Sequence, residues 1–370
     1  MKNVRIILFS AFVGSCTHQP KVLPEDSCTE ILSKGRDLKQ TEALNLVSHL
    51  YRAKCYKEVI TWTEKVHAAY EHKEYSLWRE TTELFIPEGT VTDYVLESYE
   101  RAYLRFLTAA SFLKLQNRQG ALVELRRYYN EETAKNYNHG VDPVNALLQA
   151  AMWDIIAEPE FSSRPFWLRL SRDQDADPKT SAFAMEQIKS IDAKEVRPKW
   201  EIFQVGDFPL ISWKINFVSA KDGYIEMKLR TPFPDRCREH QEILFDTKSW
   251  YSKIATRHSN SYHPLVNAKS WLRTPVAAVY FLTTVSAGAG IMVGGCALSM
   301  KAEDAAFCNL SIQGGLAVMS LSDDIVTQTL KPDLRYWEEV PAAILVRAPD
   351  DHRQSKCLKK SAGFNHARLL

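Results

Sequence analysis

Residues 99–130 read YERAYLRFLTAASFLKLQNRQGALVELRRYYN. Tyr103, Phe106, Leu107, Ala110 and Leu113 recur at the three- and four-residue spacing of one helix face. Gln116-Asn117-Arg118-Gln119 interrupts the pattern, and Ala121, Leu122, Leu125 and Tyr128 resume it. This predicts two helices joined by a tight turn. Working toward the N-terminus, TEALNLVSHLYRAKCYKEVITWTEKVHAAY (residues 41–70) repeats the plan. Leu44, Val47, Leu50 and Tyr51 form one apolar face, and Val59, Ile60, Thr63 and Val66 form the next, with a break near Lys54. Each unit is a helix-turn-helix of about 34 residues. Toward the C-terminus, Val144–Ile156 and Lys179–Ile191 are read as a third pair, separated by a loop-rich stretch from Pro159 to Asp177.

Ala109, Phe112, Ala121 and Leu125 fall where a tetratricopeptide repeat (TPR) places a small residue, a large one, an Ala and another large one. Small residues let paired helices approach, and large ones fill the groove between neighbours. The consensus Trp and closing Pro are absent, and any antiparallel helical bundle gives the same pattern. Residues 41–192 are therefore expected to form a TPR-like helical domain.

At Pro198 the period changes from helical to alternating. Lys199–Gln204 reads as a short strand. Ile211, Trp213, Ile215 and Phe217 alternate with polar partners, and Ile225, Met227 and Leu229 do so after Lys221-Asp222-Gly223. Two period-2 runs around Asp-Gly predict a β-hairpin with one buried face, ended by Pro232 and Pro234. Residues 193–270 are assigned to this module, and 331–370 to a C-terminal strand and tail.

From Thr274 to Met300 no residue is charged. One helix of that length runs about 40 Å, enough to cross a bilayer with tilt. Ser286, Gly290 and Gly294 are spaced four apart, a face suited to close helix packing. Lys301, Glu303 and Asp304 interrupt, and Ala305–Leu321 is apolar again. Residues 271–330 are thus expected to form an apolar, Gly-rich helical pair. It is either a transmembrane hairpin or, as the abundance of Gly, Ser and Thr favours, a pair buried against the helical layer.

The N-terminus, MKNVRIILFSAFVGSC, has a basic start at Lys2 and Arg5 and a short apolar core from Ile6 to Val13, the layout of a secretory signal peptide over residues 1–15. Val13-Gly14-Ser15-Cys16 resembles the bacterial lipobox, which implies cleavage before Cys16 and its acylation. Thr17, where an Asp would favour inner-membrane retention, points to the outer membrane, with residues 16–40 as lipidated linker. Several acyl chains make a firm anchor where one is marginal. The other cysteines are Cys28, Cys55, Cys237, Cys296, Cys308 and Cys357. An exported compartment permits disulfides. Cys28 with Cys55 is the favoured pair, Cys296 with Cys308 would staple a turn, and buried free thiols are the alternative. Cys237-Arg-Glu-His240 is a lone C-x-x-H without the second cluster a zinc site needs, so no metal or other cofactor is expected.

Lys+Arg 47 against Asp+Glu 45 gives a formal charge of +2, which argues against nucleic acid as the main partner. No P-loop, H-E-x-x-H or G-x-S-x-G motif occurs. The expectation is a non-catalytic protein, with a periplasmic hydrolase as the outlying alternative.

Two charged motifs remain: Tyr99-Glu100 with Ala121-x-Val123-Glu124-x-Arg126-Arg127, and Asp333-x-Arg335-x-Trp337 followed by Pro341, Ile344 and Arg347. Glu124 and Arg127, three apart, can pair on one helix face. Asp333 and Arg335 are placed to hold a loop, and Trp337 to anchor packing; a docking surface is the functional alternative. With the lipobox, Gly206-x-x-Pro209-x-x-x-x-Lys214 and the Gly-rich run, the chain resembles a family of uncharacterised Gram-negative envelope lipoproteins over about residues 95–348. The resemblance implies TPR-like helices with an appended β module, an α+β and mainly α fold. It also implies other envelope lipoproteins as company, including ones similar to LpoB and CsgG. The family continues with more strands after Arg347, whereas here Ala348–Leu370 is short, polar and basic. The functional expectation is a lipid-anchored, periplasm-facing scaffold or adaptor binding protein partners. The alternative is an integral membrane component of a secretion or transport complex using residues 274–321.

Overall fold

The computed structural model describes residues 28–33, 41–70, 82, 94, 96–133, 142–156, 162–172, 178–195, 200–216, 221–228, 230, 237–239, 242–250, 264–302, 305–330, 335–348 and 366–370. The chain is mostly helical with a small open sheet. Helix α1 (Cys28–Ser33) precedes two helical hairpins, α2 (Thr41–Arg52) with α3 (Tyr56–Tyr70) and α4 (Ser98–Lys114) with α5 (Arg118–Thr133). Both hairpins turn in the same way. Lys54 (φ 64°) and Gln116 (φ 59°) take the left-handed conformation at the helix C-termini. The following N–H groups reach back five residues, Cys55 to the Leu50 carbonyl at 2.9 Å and Asn117 to the Phe112 carbonyl at 2.8 Å. That satisfies carbonyls a helix end leaves open. Asn117 Oδ1 then accepts from the Gly120 N–H at 2.9 Å to start α5. Gly120 lies under the Phe112 ring, where a Cβ would stand 2.5 Å from Cδ1. Ala109 and Ala121 are fully buried.

Helix α6 (Pro143–Ile156) follows. The stretch read as loop contains α7 (Arg164–Ser171), which lies between α6 and α8 (Pro178–Asp192). In place of the expected third pair there are three helices. Phe166, Trp167 and Leu170 bury one side of α7, a pattern too short to register as a helical period.

Strands β1 (Glu201–Asp207), β2 (Leu210–Asn216), β3 (Lys221–Lys228), β4 (Cys237–Glu239) and β5 (Glu242–Asp246) come next. β2 and β3 form the hairpin, with Ile211 opposite Met227 and Trp213 opposite Ile225. Its Asp222-Gly223 lies inside β3 rather than at the turn, since Asn216 pairs with Lys221. β6 (Pro341–Arg347) and β7 (His366–Arg368) complete an antiparallel sheet of order β4-β5-β6-β1-β7. Segments read as separate, 193–270 and 331–370, thus share one sheet with β6 at its centre. The stretch read as a polar tail returns as β7, and Leu369 and Leu370 are buried.

The sheet is apolar on both faces. Ile202, Ile243, Phe245, Ile344 and Val346 join the core of the helical layer, whereas Phe203, Val205, Leu244, Ala343 and Leu345 cluster on the other side. The alternation is the period of two that a pleated strand imposes.

Between β5 and β6 the chain forms two long helices, α9 (Pro264–Ala302) and α10 (Ala305–Leu330), which pack on each other and are joined by Cys296–Cys308. The favoured reading set this pair against the helical layer; within the chain its described residues lie largely uncovered. Only 11% of Pro275–Lys301 is buried, and Val279, Leu282, Val293, Leu298, Leu310 and Leu316 are all more than half exposed. The crossing register is corrected. Cβ atoms at Gly290 and Gly294 would meet nothing within 4 Å, whereas one at Gly315 would lie 2.6 Å from the Gly288 carbonyl and one at Gly288 2.7 Å from the Gly315 carbonyl. At Gly295 a Cβ would stand 2.2 Å from Ser311 Cβ. The helices meet through Gly288, Gly295 and Gly315, and the Ser286-Gly290-Gly294 face points away.

Candidate functional site

The two charged motifs meet at a buried carboxylate. Glu100 is fully buried at the start of α4. It accepts from the Tyr94 hydroxyl at 2.5 Å, the Glu97 N–H at 2.8 Å and the Trp337 N–H at 2.8 Å. The Trp337 ring packs on Tyr103 with centroids 5.4 Å apart, and Trp250 packs on Tyr99 and Tyr103. The Arg335 guanidinium lies 5.5 Å over the Tyr94 ring. Tyr51 donates to the Leu369 carbonyl at 2.6 Å, and Arg52 pairs with Glu339. Here helical layer and sheet are locked together, so the motif residues Glu100, Arg335 and Trp337 hold the architecture. Arg347 joins them from the sheet, pairing with Glu201 across β1 and β6. Asp333 and Cys16 lie outside the described residues.

Of the other motif residues, Arg127 lines a cleft of about 580 Å³, together with Glu64, His67 and Ala68 of α3, Arg105 of α4, and Asn130 and Glu131 of α5. Glu124 is buried and holds two guanidinium groups, Arg105 at 3.2 Å and Arg127 at 2.6 Å. Glu131 lies 3.4 Å from Arg101 and 3.8 Å from Arg105. Arg126 is exposed and is not among the residues that line the cleft. His67 is buried, and its pKa falls to about 3, first from burial and then from the nearby positive charges of Arg105, Arg101 and Arg127. It is a neutral imidazole at physiological pH. The lining sets two guanidinium groups, Arg105 and Arg127, beside two carboxylates, Glu64 and Glu131. Among the described residues no serine, threonine or cysteine lines it.

Sequence reading picked out Glu124 and Arg127 but not His67, Arg105 or Glu131. The available signal was the four-residue spacing of Arg101 and Arg105 on α4 and the seven-residue spacing of Glu124 and Glu131 on α5, which become partners only once the helices pair. Asp154 was missed as well. It is a buried hub on α6, accepting from Ser163, from Trp167 Nε1 at 3.2 Å and from Trp200 Nε1 at 2.8 Å. Cys28 and Cys55 are disulfide-bonded and tie α1 to the α2–α3 turn. Glu58 lies close to both sulfurs. A metal needs thiolates there, and the bonded sulfurs offer none.

Comparison with models of known protein families, with curated proteins and with solved structures finds no match.

Proposed function

We propose that this chain is a membrane-attached, non-catalytic scaffold of the bacterial envelope, whose α9–α10 hairpin inserts into lipid and whose helical body faces protein partners. The observation that carries this reading is the exposure of the hairpin's apolar side chains, from Val279 and Leu282 to Val293 and Leu298. Water does not favour an uncovered apolar surface of that extent, and lipid does. The hairpin leaves the sheet after β5 and returns to it before β6, so both of its ends start from the globular body. Two disulfides fit an oxidising compartment. The matched turns of α2–α3 and α4–α5 support a TPR-like stack as the partner-binding layer.

The proposed lipid anchor at Cys16 is a second attachment, and with Thr17 it favours the periplasmic face of the outer membrane. Helical hairpins are foreign to the barrel architecture usual there, so the two attachments are tested apart. The experiment is alkaline carbonate extraction of the chain with Cys16 replaced, exported behind a signal peptide with a different cleavage site. Retention in the membrane pellet is expected; full release would leave the lipid as the sole anchor. Partners in this reading are envelope proteins, including lipoproteins, and they are sought by crosslinked pull-down from intact cells.

A further inference from the structure

Arginine binds carboxylates through the edge formed by Nε and Nη2, and this chain uses that edge twice. Arg164 holds Asp192 through Nε at 2.8 Å and Nη2 at 3.1 Å. Arg347 holds Glu201 through Nε at 2.8 Å and Nη2 at 2.7 Å. Arg105 is different. Its Nη1 is committed to Glu124 at 3.2 Å, and among the described residues its Nη2 has Glu131 at 3.8 Å and its Nε has no hydrogen-bond partner. The residue is 8% exposed, so water does not freely replace the missing acceptor. His67, 5% exposed on the same cleft, has an unpartnered Nε2. A buried polar atom without a partner costs about 1–3 kcal/mol. Two such atoms, from α3 and α4, belong to residues that line one cleft.

We propose that the cleft between α3, α4 and α5 is a binding site for a carboxylate-bearing ligand of peptide size, with the carboxylate on the Nε–Nη2 edge of Arg105 and His67 Nε2 as a second polar contact. A carboxylate fits better than a rounder anion because its two oxygens match the planar edge in parallel. The charges of the lining balance, Arg105 and Arg127 against Glu64 and Glu131, so the preference rests on the geometry of the open edge. Arg101, Arg105 and Arg127 face two carboxylates, Glu124 and Glu131, in the ion-pair network. Glu64 is the remaining acid and sits exposed on the rim, where water screens it. The half-exposed Arg127 side chain guards the mouth. A volume of about 580 Å³ admits several residues of an extended chain end. The site is independent of how the protein meets the membrane.

The test uses the full chain in mild detergent, labelled with ¹³C at histidine and titrated with acetyl-trialanine, with its C-terminal amide, and with inorganic phosphate. The His67 resonance is assigned from a His67→Gln variant. The free acid should shift it saturably, while the amide and phosphate leave it in place. Arg105→Lys keeps the charge and loses the planar edge, and should weaken binding by about tenfold or more. Ala68→Phe fills the mouth from an exposed position; it should abolish binding without moving the melting temperature, and it serves where Arg105→Lys fails to fold. Equal binding of the amide or of phosphate, unchanged binding in Ala68→Phe, or no shift with the free acid would each overturn the proposal.

Discussion

The backbone N–H of Trp337 donates to Glu100 Oε1 at 2.8 Å, across 237 residues of chain. The same carboxylate takes the Tyr94 hydroxyl and the Glu97 N–H. One buried side chain therefore starts α4, fixes the segment before it and docks the segment entering β6. Removing the acceptor takes this partner from the Tyr94 hydroxyl, the Glu97 N–H and the Trp337 N–H in the core. Glu100→Ala should lower stability by about 3–5 kcal/mol, read as a fall in the urea midpoint of the detergent-solubilised chain. Glu100→Gln keeps one acceptor oxygen and should cost less. Equal costs for the two variants would show that packing, not the hydrogen bonds, holds the node.

His67 sets a pH dependence. Its pKa falls from 6.5 to about 3 on folding, so between those values the unfolded chain binds the extra proton and stability rises with pH. The contribution is complete above pH 6.5 and drains as pH falls toward 3. It amounts to a loss of about 2 kcal/mol by pH 5. The groups around it are Arg105 and Arg101 of α4, Arg127 of α5, and the cleft acids Glu64 and Glu131. Melting curves of the wild type and His67→Gln at pH 7 and pH 5 should diverge by that amount; parallel curves would place the imidazole in contact with water.

The crossing of α9 and α10 predicts an asymmetry among glycines. Gly315→Leu drives a side chain into the Gly288 carbonyl and should destabilise the hairpin by about 1–3 kcal/mol or force it apart. Gly290→Leu meets open space and should leave it intact. Circular dichroism melts in detergent separate the two, and the reverse order would mean a different helix register.

Cys55→Ser opens a loop of 27 residues closed by the disulfide to Cys28. The loss should be about 2–4 kcal/mol, and reducing agent should lower the wild-type midpoint toward that of the variant. A midpoint indifferent to both would mean that α1 contributes nothing to the helical layer.

Much of the helical layer was legible because its apolar residues repeat at helical spacing and its breaks fall at Lys54 and Gln116, both left-handed in the structure. Helix α7 was not, since eight residues give barely two turns of pattern and Pro165 reads as loop. A C-terminal strand was expected somewhere in 331–370, but not that β6 would bind both β1 and β5, because strand order is set by long-range pairing that no local period records. The same holds for the cleft. Glu124 and Arg127 pair within one helix and could be read from spacing, whereas Arg105 and His67 come from two other helices. For the apolar run, composition gave length but not exposure. Gly288, Gly290, Gly294 and Gly295 are equivalent as letters, and only packing shows which of them meet α10.

The membrane reading rests on Val279, Leu282, Val293 and Leu298, at 63%, 63%, 72% and 60% exposure. If water surrounds these side chains, polar replacements cost almost nothing and improve solubility. If lipid surrounds them, each Lys near the middle of the span costs about 2.5–3.5 kcal/mol. Leu282 and Val293 flank the centre of Pro275–Lys301, too far from either end for a lysine to reach the headgroups easily. Neither position is a glycine of the crossing, so Leu282→Lys with Val293→Lys leaves the contact with α10 in place. In cells carrying the Cys16 replacement, the double variant should move from the carbonate-resistant membrane pellet to the soluble fraction or be degraded. The purified helical body should keep its disulfides and its far-ultraviolet signature. An unchanged pellet would mean that the hairpin is covered by protein rather than lipid, and the exposed face would then belong to an oligomer interface.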